Sequence, residues 1–217
     1  MRGHPLDQDL LTRVQQGAAH ASRVWEPDAV GVVLGRGSRA ESEVDAAACE
    51  ADGVPLLRRR GGGGAVVLGP GCLVASLARR VSNPLAVERH LGEAADLLAL
   101  ALARAGGVPL VRRGSGDLCH GDRKVVGSSA FCGRGVFFYQ ASLLVDLDLS
   151  LVDRYLPHPS REPAYRQGRP HREFLTTLRR AGFQGSSRSL AEQLGAALRE
   201  ALAGAGTGFV TRAGLGV

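Results

Sequence analysis

Lysine is nearly absent from this chain of 217 residues: all of its 27 basic residues are arginine except Lys124. On a solvated surface arginine replaces lysine at little cost, so a coding bias can exchange one for the other. Arginine does not replace lysine where a compact and mobile point charge is required. The single lysine is therefore a candidate functional residue.

Other absences narrow the class of protein. Aromatic residues make up only 5% of the chain, so we expect a core of leucine, valine and alanine. No apolar run reaches the length that spans a membrane, and the first residues contain no apolar segment typical of a secretory signal. These features indicate a cytoplasmic protein that does not interact with a membrane.

The cysteines form no C-x-x-C pair, and their spacing suits neither a zinc site nor a small disulfide framework. We therefore expect free thiols and no metal held by protein ligands. A catalytic cysteine, which would have to be exposed and activated, is the alternative. The four cysteines are Cys49, Cys72, Cys119 and Cys132.

The net charge of the chain is +6, and a basic surface can attract nucleic acid, an acidic protein or an anionic small ligand. The arginines are scattered along the sequence, with no aromatic-interleaved basic patch and no helix-turn-helix pattern. The charge therefore favours an acidic protein partner or an anionic ligand over nucleic acid.

Apolar segments of strand type outnumber helical segments, and they often come in adjacent pairs. This order differs from the regular strand–helix alternation of a doubly wound fold. It predicts an α+β protein with a mixed, mainly antiparallel sheet packed by helices. With 44% hydrophobic residues and no clear linker, we expect one domain over residues 1–217.

Local patterns predict individual elements. The segment Ser38-Arg-Ala-Glu41 is a capping box that would open a helix running to about Ala51. A hairpin is expected over residues 117–126, with its turn at His120-Gly121-Asp122. Three further expectations are an irregular loop over the four prolines of residues 157–170, a helix over 171–181 and a last short strand over 208–212. The loop over residues 159–171, which is rich in Arg, Tyr and His, is expected to be a solvated crossover, and closure over the site is the alternative.

A glycine run lies between two apolar strands, at Arg58-Arg-Arg-Gly61-Gly-Gly-Gly64-Ala65. Without Cβ atoms, the backbone N–H groups of such a turn can approach an anion closely. The preceding guanidinium groups add charge and forked donors for phosphate or carboxylate. The loop is not a Walker A motif, because no Gly-Lys-Ser/Thr follows. A flexible hairpin loop is the alternative interpretation.

The single lysine lies in the segment Gly121-Asp-Arg-Lys124-Val-Val-Gly127-Ser-Ser-Ala130, between a predicted turn and a short apolar strand. An ammonium held on a rigid element can neutralise a carboxylate and a phosphate together, which stabilises the charge that develops during acyl transfer. A solvated lysine in a hairpin is the alternative interpretation.

Together these segments resemble the lipoate–protein ligase family of the biotin/lipoyl ligase superfamily. Family members carry Arg-Arg-x-Ser/Thr-Gly-Gly-Gly-Ala-Val, then Asn-Asp-Leu, then Gly-Arg-Lys-Val/Ile-x-Gly-Ser-Ala. Here the same order appears in residues 58–66, in Gly116-Asp117-Leu118 and in residues 122–130. The resemblance covers about residues 5–180, and it is specific as a set of motifs.

The resemblance implies a fold like that of class II synthetase and biotinyl-ligase catalytic domains. It also implies that the carboxylate of lipoate or octanoate attacks the α-phosphate of ATP, with Mg²⁺, to give an acyl-AMP. An acceptor lysine then attacks the mixed anhydride. By this resemblance Lys124 is the catalytic residue. The expected substrate and adenylate contacts are Arg58, Arg59, Gly62, Gly63, Gly64, Ala65, Asp117, Gly127, Ser128, Ser129 and Gln140.

The partner implied by the resemblance is an acidic lipoyl-acceptor domain or a glycine-cleavage H-type protein. We expect no counterpart of the C-terminal accessory domain of longer ligases after the matched region, and a separate accessory protein is therefore a further expected partner. Three positions depart from the family pattern. They are Gly61 in place of Ser/Thr, Gly116 in place of Asn, and Gln140 in place of the His that relatives carry after the lysine motif.

Two other functions stay open from the sequence. Octanoyltransferases of the same fold move an acyl group through a cysteine thioester without ATP, and Cys119 and Cys132 lie nearest Lys124 in this chain. Neither has a clear neighbouring base apart from His120. A catalytically inactive homologue is the third possibility, which the three departures favour and the retained Lys124 opposes.

Overall fold

The computed structural model describes residues 6–204, so the strand expected at 208–212 lies outside the described part. Within it, extended segments form two sheets. In chain order the strands are β1 (His20–Trp25), β2 (Gly31–Leu34), β3 (Leu56–Arg58), β4 (Val66–Leu68), β5 (Cys72–Arg80), β6 (Val111–Arg113), β7 (Asp117–His120), β8 (Arg123–Gly133) and β9 (Val136–Leu144). The strands β2, β5 and β9 are buried along almost their whole length.

The larger sheet has the strand order β1-β5-β9-β8-β7-β6, and all of its neighbouring strands are antiparallel. The smaller sheet has the order β3-β2-β4, with β2 and β3 parallel. The expected hairpin is confirmed, because β7 pairs with β8 across a turn at Gly121 and Asp122. This hairpin carries the single lysine at the start of β8.

Helices cover both faces of the larger sheet. The helices are α1 (Gln8–Gln15), α2 (Ala40–Glu43), α3 (Ala46–Ala51), α4 (Val87–Arg104), α5 (Ser150–Tyr155), α6 (His171–Phe174) and α7 (Ser187–Gly204). Helices α4 and α7 pack on one face around a core of leucines, alanines and Phe137. The other face packs against the smaller sheet, α5 and α6. No helix within residues 6–204 is both long enough and apolar enough to cross a bilayer.

The expected single helix from Ser38 to Ala51 is wrong. The chain forms the short helices α2 and α3 instead, because Val44 between them is extended and buried in the core. Ser38 does not cap a helix: its hydroxyl donates to the carbonyl of Gly63 (2.8 Å). The cap is Asp45, whose carboxylate accepts from the backbone N–H of Ala48 (2.9 Å).

The helix expected over 171–181 ends at Phe174. Leu175 leaves the helical path and forms a parallel bridge with Lys124, and the N–H of Thr176 donates to the carbonyl of Lys124 (2.9 Å). A backbone N–H that donates to a strand of the sheet cannot also donate within a helix, so pairing with β8 outweighs the local helix propensity here. The same contact fixes the backbone at the single lysine.

Candidate functional site

A cavity of about 720 Å³ lies between the two sheets. Its apolar wall is built from β4 of the smaller sheet, the facing side of the larger sheet and α6. Its polar wall is built from the glycine run, the β7–β8 hairpin and residues 157–166. Such a mixture of apolar surface with a few convergent polar groups is typical of a small-molecule site.

The side chain of Lys124 lies on the wall of this cavity and is 24% exposed. Its Nζ is 2.8 Å from Oδ1 of Asp117, on the neighbouring strand β7. A Cβ atom at position 127 would lie 3.0 Å from Cε and 3.1 Å from Nζ of Lys124. Gly127 is therefore the residue over which the lysine side chain can lie flat and present its ammonium to the cavity.

Asp117 holds two donors at once. While Oδ1 pairs with Lys124, Oδ2 accepts a hydrogen bond from the hydroxyl of Tyr165 (2.8 Å). Tyr165 also lines the cavity. The sequence analysis did not single out this tyrosine, which lies in the stretch expected to be a solvated crossover.

Arg59 is buried and serves the backbone of the glycine run. Its Nη2 donates to the carbonyls of Gly62 (2.7 Å) and Gly64 (2.8 Å), and its Nη1 donates to the carbonyl of Val33 (3.1 Å). Burial lowers the pKa of this guanidinium to about 10, and the charge of Glu43 partly offsets the effect. Arg59 thus forms part of the cavity wall and holds the loop in shape.

The predicted site residues divide into two groups. Two of them, Arg58 and Gly62, do not contribute to the wall. Arg58 instead donates through Nη1 to the carbonyls of Gly35 and Ser38, both at 2.8 Å. The predicted residues that do line the cavity are Arg59, Gly63, Gly64, Ala65, Asp117, Lys124, Gly127, Ser128, Ser129 and Gln140.

Both glycines that depart from the family pattern lie against serines of β8, and Ser129, which stands where the family motif has alanine, gives the departure at Gly61 a packing reason. A Cβ at position 61 would lie 2.7 Å from Oγ of Ser129, and a Cβ at position 116 would lie 2.5 Å from Oγ of Ser128. Ser128 also donates to the carbonyl of Gly116 (2.7 Å). The serines of β8 therefore fill the space that side chains at the two glycine positions would occupy.

Gln140, the third departure, joins a buried polar network at the cavity wall. Its Nε2 donates to the carbonyl of Leu6 (2.8 Å) and lies 3.4 Å from Oγ of Ser76. Ser76 and the indole of Trp25 both donate to the buried carboxylate of Asp7, each at 2.7 Å. The amide thereby holds the segment before α1 against the sheet.

The interpretation of residues 159–171 as a solvated crossover is wrong, because this stretch forms one side of the cavity, and the position of the loop favours the alternative that it lies over the site. The turn at Ala164–Arg166 and the flanking prolines lie on the wall. Arg166 is buried, and its guanidinium lies over the ring of Phe174 at 4.8 Å. The hydrogen bonds of this stretch to Asp117 and Asp122 join residues 48 and 47 positions apart, so no local pattern indicates them.

All four thiols are free, and none of them lies on the cavity wall. Burial raises the pKa of each, and it raises that of Cys72 to about 12. Cys119 is the nearest to the lysine, but its Sγ is buried and donates toward the hydroxyl of Tyr165 (3.6 Å). A raised pKa reduces the thiolate fraction, and the thiolate is the nucleophile.

His171 gives the site a pH-dependent component. Its Nε2 donates to the carbonyl of Pro157 (3.1 Å). Burial lowers the pKa of its imidazole below the ordinary 6.5, the hydrogen bond to Pro157 partly opposes this shift, and the charge of Arg166 adds to it. As the pH falls through 6.5, the unfolded chain binds a proton that the folded chain does not. The free energy of unfolding should therefore decrease as the pH is lowered, until His171 of the folded chain is also protonated.

The variant His171→Gln keeps a donor but does not titrate. We expect its unfolding free energy, measured by denaturant titration, to change less than that of the original protein between about pH 8 and pH 5. Parallel pH curves for the two proteins would show that His171 does not contribute.

Comparison with known proteins supports the protein family that the sequence motifs indicate. The family model of the lipoyl protein ligase A/B catalytic domain matches residues 4–199. A crystal structure of lipoate-protein ligase A bound with ATP superposes with a TM-score of 0.74 at 22% identity, over 90% of this chain and 77% of that chain.

Two structures from Thermoplasma acidophilum are also similar. A bi-partite lipoate protein ligase, studied with its E2 lipoyl domain, gives a TM-score of 0.72 at 22% identity, over 88% of this chain and 75% of that one. A protein described as a lipoate protein ligase, with bound lipoic acid, gives 0.69 at 21% identity, over 85% and 73%. At these identities the likeness concerns the fold.

The expected α+β fold, with a mainly antiparallel sheet packed by helices as in the ligases, is confirmed. The family assignment is also confirmed, since the family model spans most of the sequence. This protein belongs to the lipoyl protein ligase A/B catalytic domain family.

Proposed function

We propose that this protein activates lipoate or octanoate with ATP to an acyl-AMP and transfers the acyl group to a lysine of a lipoyl-acceptor protein. The observation that carries the proposal is the placement of Lys124. Its ammonium lies in a cavity that has an apolar wall on one side and the glycine run on the other. The related structures that bind ATP and lipoic acid have the same fold.

The ammonium of Lys124 supplies the charge that this chemistry needs. When a carboxylate attacks the α-phosphate, negative charge develops on the phosphate oxygens, and a fixed cation lowers the energy of that state. Asp117 holds the ammonium in place before the substrates bind. Gly63 and Gly64 allow the backbone to approach an anion, because they carry no side chain.

The apolar wall fits the chain of a fatty or lipoic acid. Val67 and Leu68 of β4, Val74 of β5 and Leu144 of β9 face the same cavity. Each methylene removed from water there contributes about 0.8 kcal/mol to binding. We infer that the carboxylate lies at Lys124 and that the acyl chain extends along these residues.

The cavity wall offers few acidic residues that could bind Mg²⁺. Glu43 and Asp117 are the acidic residues on the wall, and both oxygens of Asp117 already have donors. In the described range, no three His, Cys, Asp or Glu side chains come together in a way that could hold a metal ion. Mg²⁺ usually binds one or two carboxylates together with substrate phosphates, so it would come with the nucleotide.

The proposed acceptor is an acidic lipoyl domain or an H-type protein. The net charge of +6 favours an acidic partner. The bi-partite Thermoplasma acidophilum ligase was studied with its E2 lipoyl domain, which is the kind of partner we propose here. A second protein that assists activation, and the single domain over residues 1–217, stay predictions.

The positions of the thiols favour adenylation over transfer through a thioester. We expect lipoate-dependent exchange between ATP and labelled pyrophosphate, since the first half-reaction is reversible. Cys119→Ala and Cys132→Ala should keep the rate of the unchanged protein, because neither thiol lies on the cavity wall. The exchange is measured with and without lipoate, and with octanoate in its place.

Two other results would contradict the proposal. A transferase would show no exchange, would acylate the acceptor from octanoyl carrier protein, and would lose this activity in one of the cysteine variants. An inactive homologue would show neither exchange nor transfer, with a lipoyl domain or an H-type protein as acceptor, also after addition of an accessory-domain protein.

A further inference from the structure

Tyr165, Asp117 and Lys124 form a continuous chain of polar contacts. The hydroxyl of Tyr165 donates to Oδ2 of Asp117 at 2.8 Å, and Oδ1 of the same carboxylate is 2.8 Å from Nζ of Lys124. The three residues come from different parts of the chain: a turn within residues 157–170, the start of β7 and the start of β8. Their meeting is a property of the tertiary structure.

The stretch that carries Tyr165 is attached to the lysine hairpin at other points. Arg169 donates through Nη1 to the carboxylate of Asp122 in the hairpin turn (2.8 Å) and through Nη2 to the carbonyl of Tyr165 (3.0 Å). Farther on, the N–H of Thr176 donates to the carbonyl of Lys124. The backbone on both sides of the tyrosine is thus fixed relative to the lysine.

The ring of Tyr165 is held as firmly as its backbone. It packs at 5.3 Å from the ring of Phe174, and the guanidinium of Arg113 lies 5.9 Å from its centre. Burial and then the charge of Asp117 raise the pKa of the phenol, so it stays protonated and remains a donor. A rigid donor of this kind constrains the orientation of the carboxylate that it touches.

We propose that Tyr165 is a positioning residue for Lys124. Its hydroxyl fixes the rotation of the Asp117 carboxylate, and the carboxylate in turn holds the ammonium over Gly127, where it faces the cavity. This inference rests on the proposed function for its effect on rate. Its structural part, the placement of the lysine by the tyrosine, does not depend on which reaction the site performs.

Without the hydroxyl, one oxygen of a half-buried carboxylate would lose its donor. The carboxylate could then rotate or turn both oxygens to the ammonium, and the flexible lysine side chain would follow. Substrate binding by the apolar wall and the glycine run would continue. The expected result is a loss of kcat with little change in KM.

The chain offers a matched control. Tyr155 also donates its hydroxyl to an aspartate, Oδ2 of Asp52 at 2.7 Å, but neither residue lines the cavity. Tyr165→Phe and Tyr155→Phe therefore remove the same atom from the same kind of hydrogen bond. We expect Tyr165→Phe to lower kcat for lipoate-dependent pyrophosphate exchange by about 10-fold, since hydrogen bonds to charged groups are the strong ones. Tyr155→Phe should leave kcat unchanged.

The two phenylalanine variants can also be compared without an activity assay. Because Lys124 is the only lysine, protein grown with ¹³C-labelled lysine gives a single ε-methylene signal in NMR spectra. Tyr165→Phe should shift or broaden that signal, and Tyr155→Phe should leave it in place. If the original protein shows no exchange, the proposed function fails while this spectrum still tests the positioning role.

Coupling to Asp117 separates positioning from a general loss of stability. If the tyrosine acts through the carboxylate, adding Tyr165→Phe to an Asp117→Asn protein should not shift the lysine signal further. An unchanged signal in Tyr165→Phe, or an equal change of kcat in the two phenylalanine variants, would overturn the proposal.

Discussion

Replacement of Lys124 by alanine is expected to lower the rate of acyl activation by about 10² to 10³, because a preorganised charge at the reacting phosphate is usually the largest single contribution to such catalysis. The alanine variant removes the charge and leaves the carboxylate of Asp117 with Tyr165 as its donor. The measurement is lipoate-dependent pyrophosphate exchange, followed by transfer to a lipoyl domain.

Lys124→Arg tests geometry separately from charge. A guanidinium is planar and larger than an ammonium. The Lys124 side chain already lies so close to Gly127 that a Cβ there would be 3.0 Å from Cε, which leaves little space for a larger group. We expect this variant to fail as well, although the positive charge is kept. Arg104→Ala, which removes an exposed charge at the end of α4, is the control that should keep full activity.

Stability must be followed in the same variants. Lys124 is partly exposed and lies at the start of a strand, so both substitutions should leave the folded protein intact in a denaturant titration. Activity at the level of the unchanged protein in either Lys124 variant would refute the catalytic role that we propose for this residue.

The second large effect is expected at Gly61. A serine there would place its Cβ 2.7 Å from Oγ and 3.0 Å from Cβ of Ser129, so the Ser129 hydroxyl must rotate away and the loop and β8 must separate by a few tenths of an ångström. Overpacking of this kind costs roughly 1–3 kcal/mol of unfolding free energy. Since Ser129 lines the cavity, we also expect weaker binding of the acyl substrate.

The clash can be relieved from the other side. In Gly61→Ser with Ser129→Ala, the hydroxyl that collides is gone, so the double variant should recover a large part of the lost stability. A double-mutant cycle in urea measures this coupling, which for contacting residues is about 0.5–3 kcal/mol. Additive effects of the two substitutions would contradict the packing argument.

The neighbouring glycine is the matched control. A Cβ at position 62 would have no atom within 4 Å, so Gly62→Ser adds the same side chain to the same loop without a collision. We expect it to keep nearly the stability of the unchanged protein. A side chain at position 61, where the family carries Ser or Thr, would bring its Cβ against the hydroxyl of Ser129 in this chain, which gives one departure from the family pattern a packing reason.

Sequence patterns predicted the parts of the site that depend on local chemistry. Lys124 was indicated by composition, and the glycine run was indicated by the lack of side chains between two strands. The hairpin of β7 and β8 was predicted because its turn residues and apolar alternation are both local. All of these belong to segments of ten residues or fewer, within which propensity and pattern act directly.

The two wrong helix predictions have a common physical cause. The helix expected over 171–181 ends at Phe174 because the next backbone N–H groups bond to other parts of the fold, including the carbonyl of Lys124. The helix expected from Ser38 is interrupted because Val44 is drawn into the core. In both segments the local pattern suits a helix, and burial or sheet pairing across long sequence distances outweighs it.

The sequence by itself determined the identity of the charged residue, the glycine loop and the family, because these depend on residue type and order along the chain. Only the tertiary structure decided what surrounds the lysine. It brought Tyr165 to Asp117 across 48 positions, set Ser129 against Gly61, and kept the thiols off the cavity wall. These are contacts between segments, and their energies depend on packing that no single segment specifies.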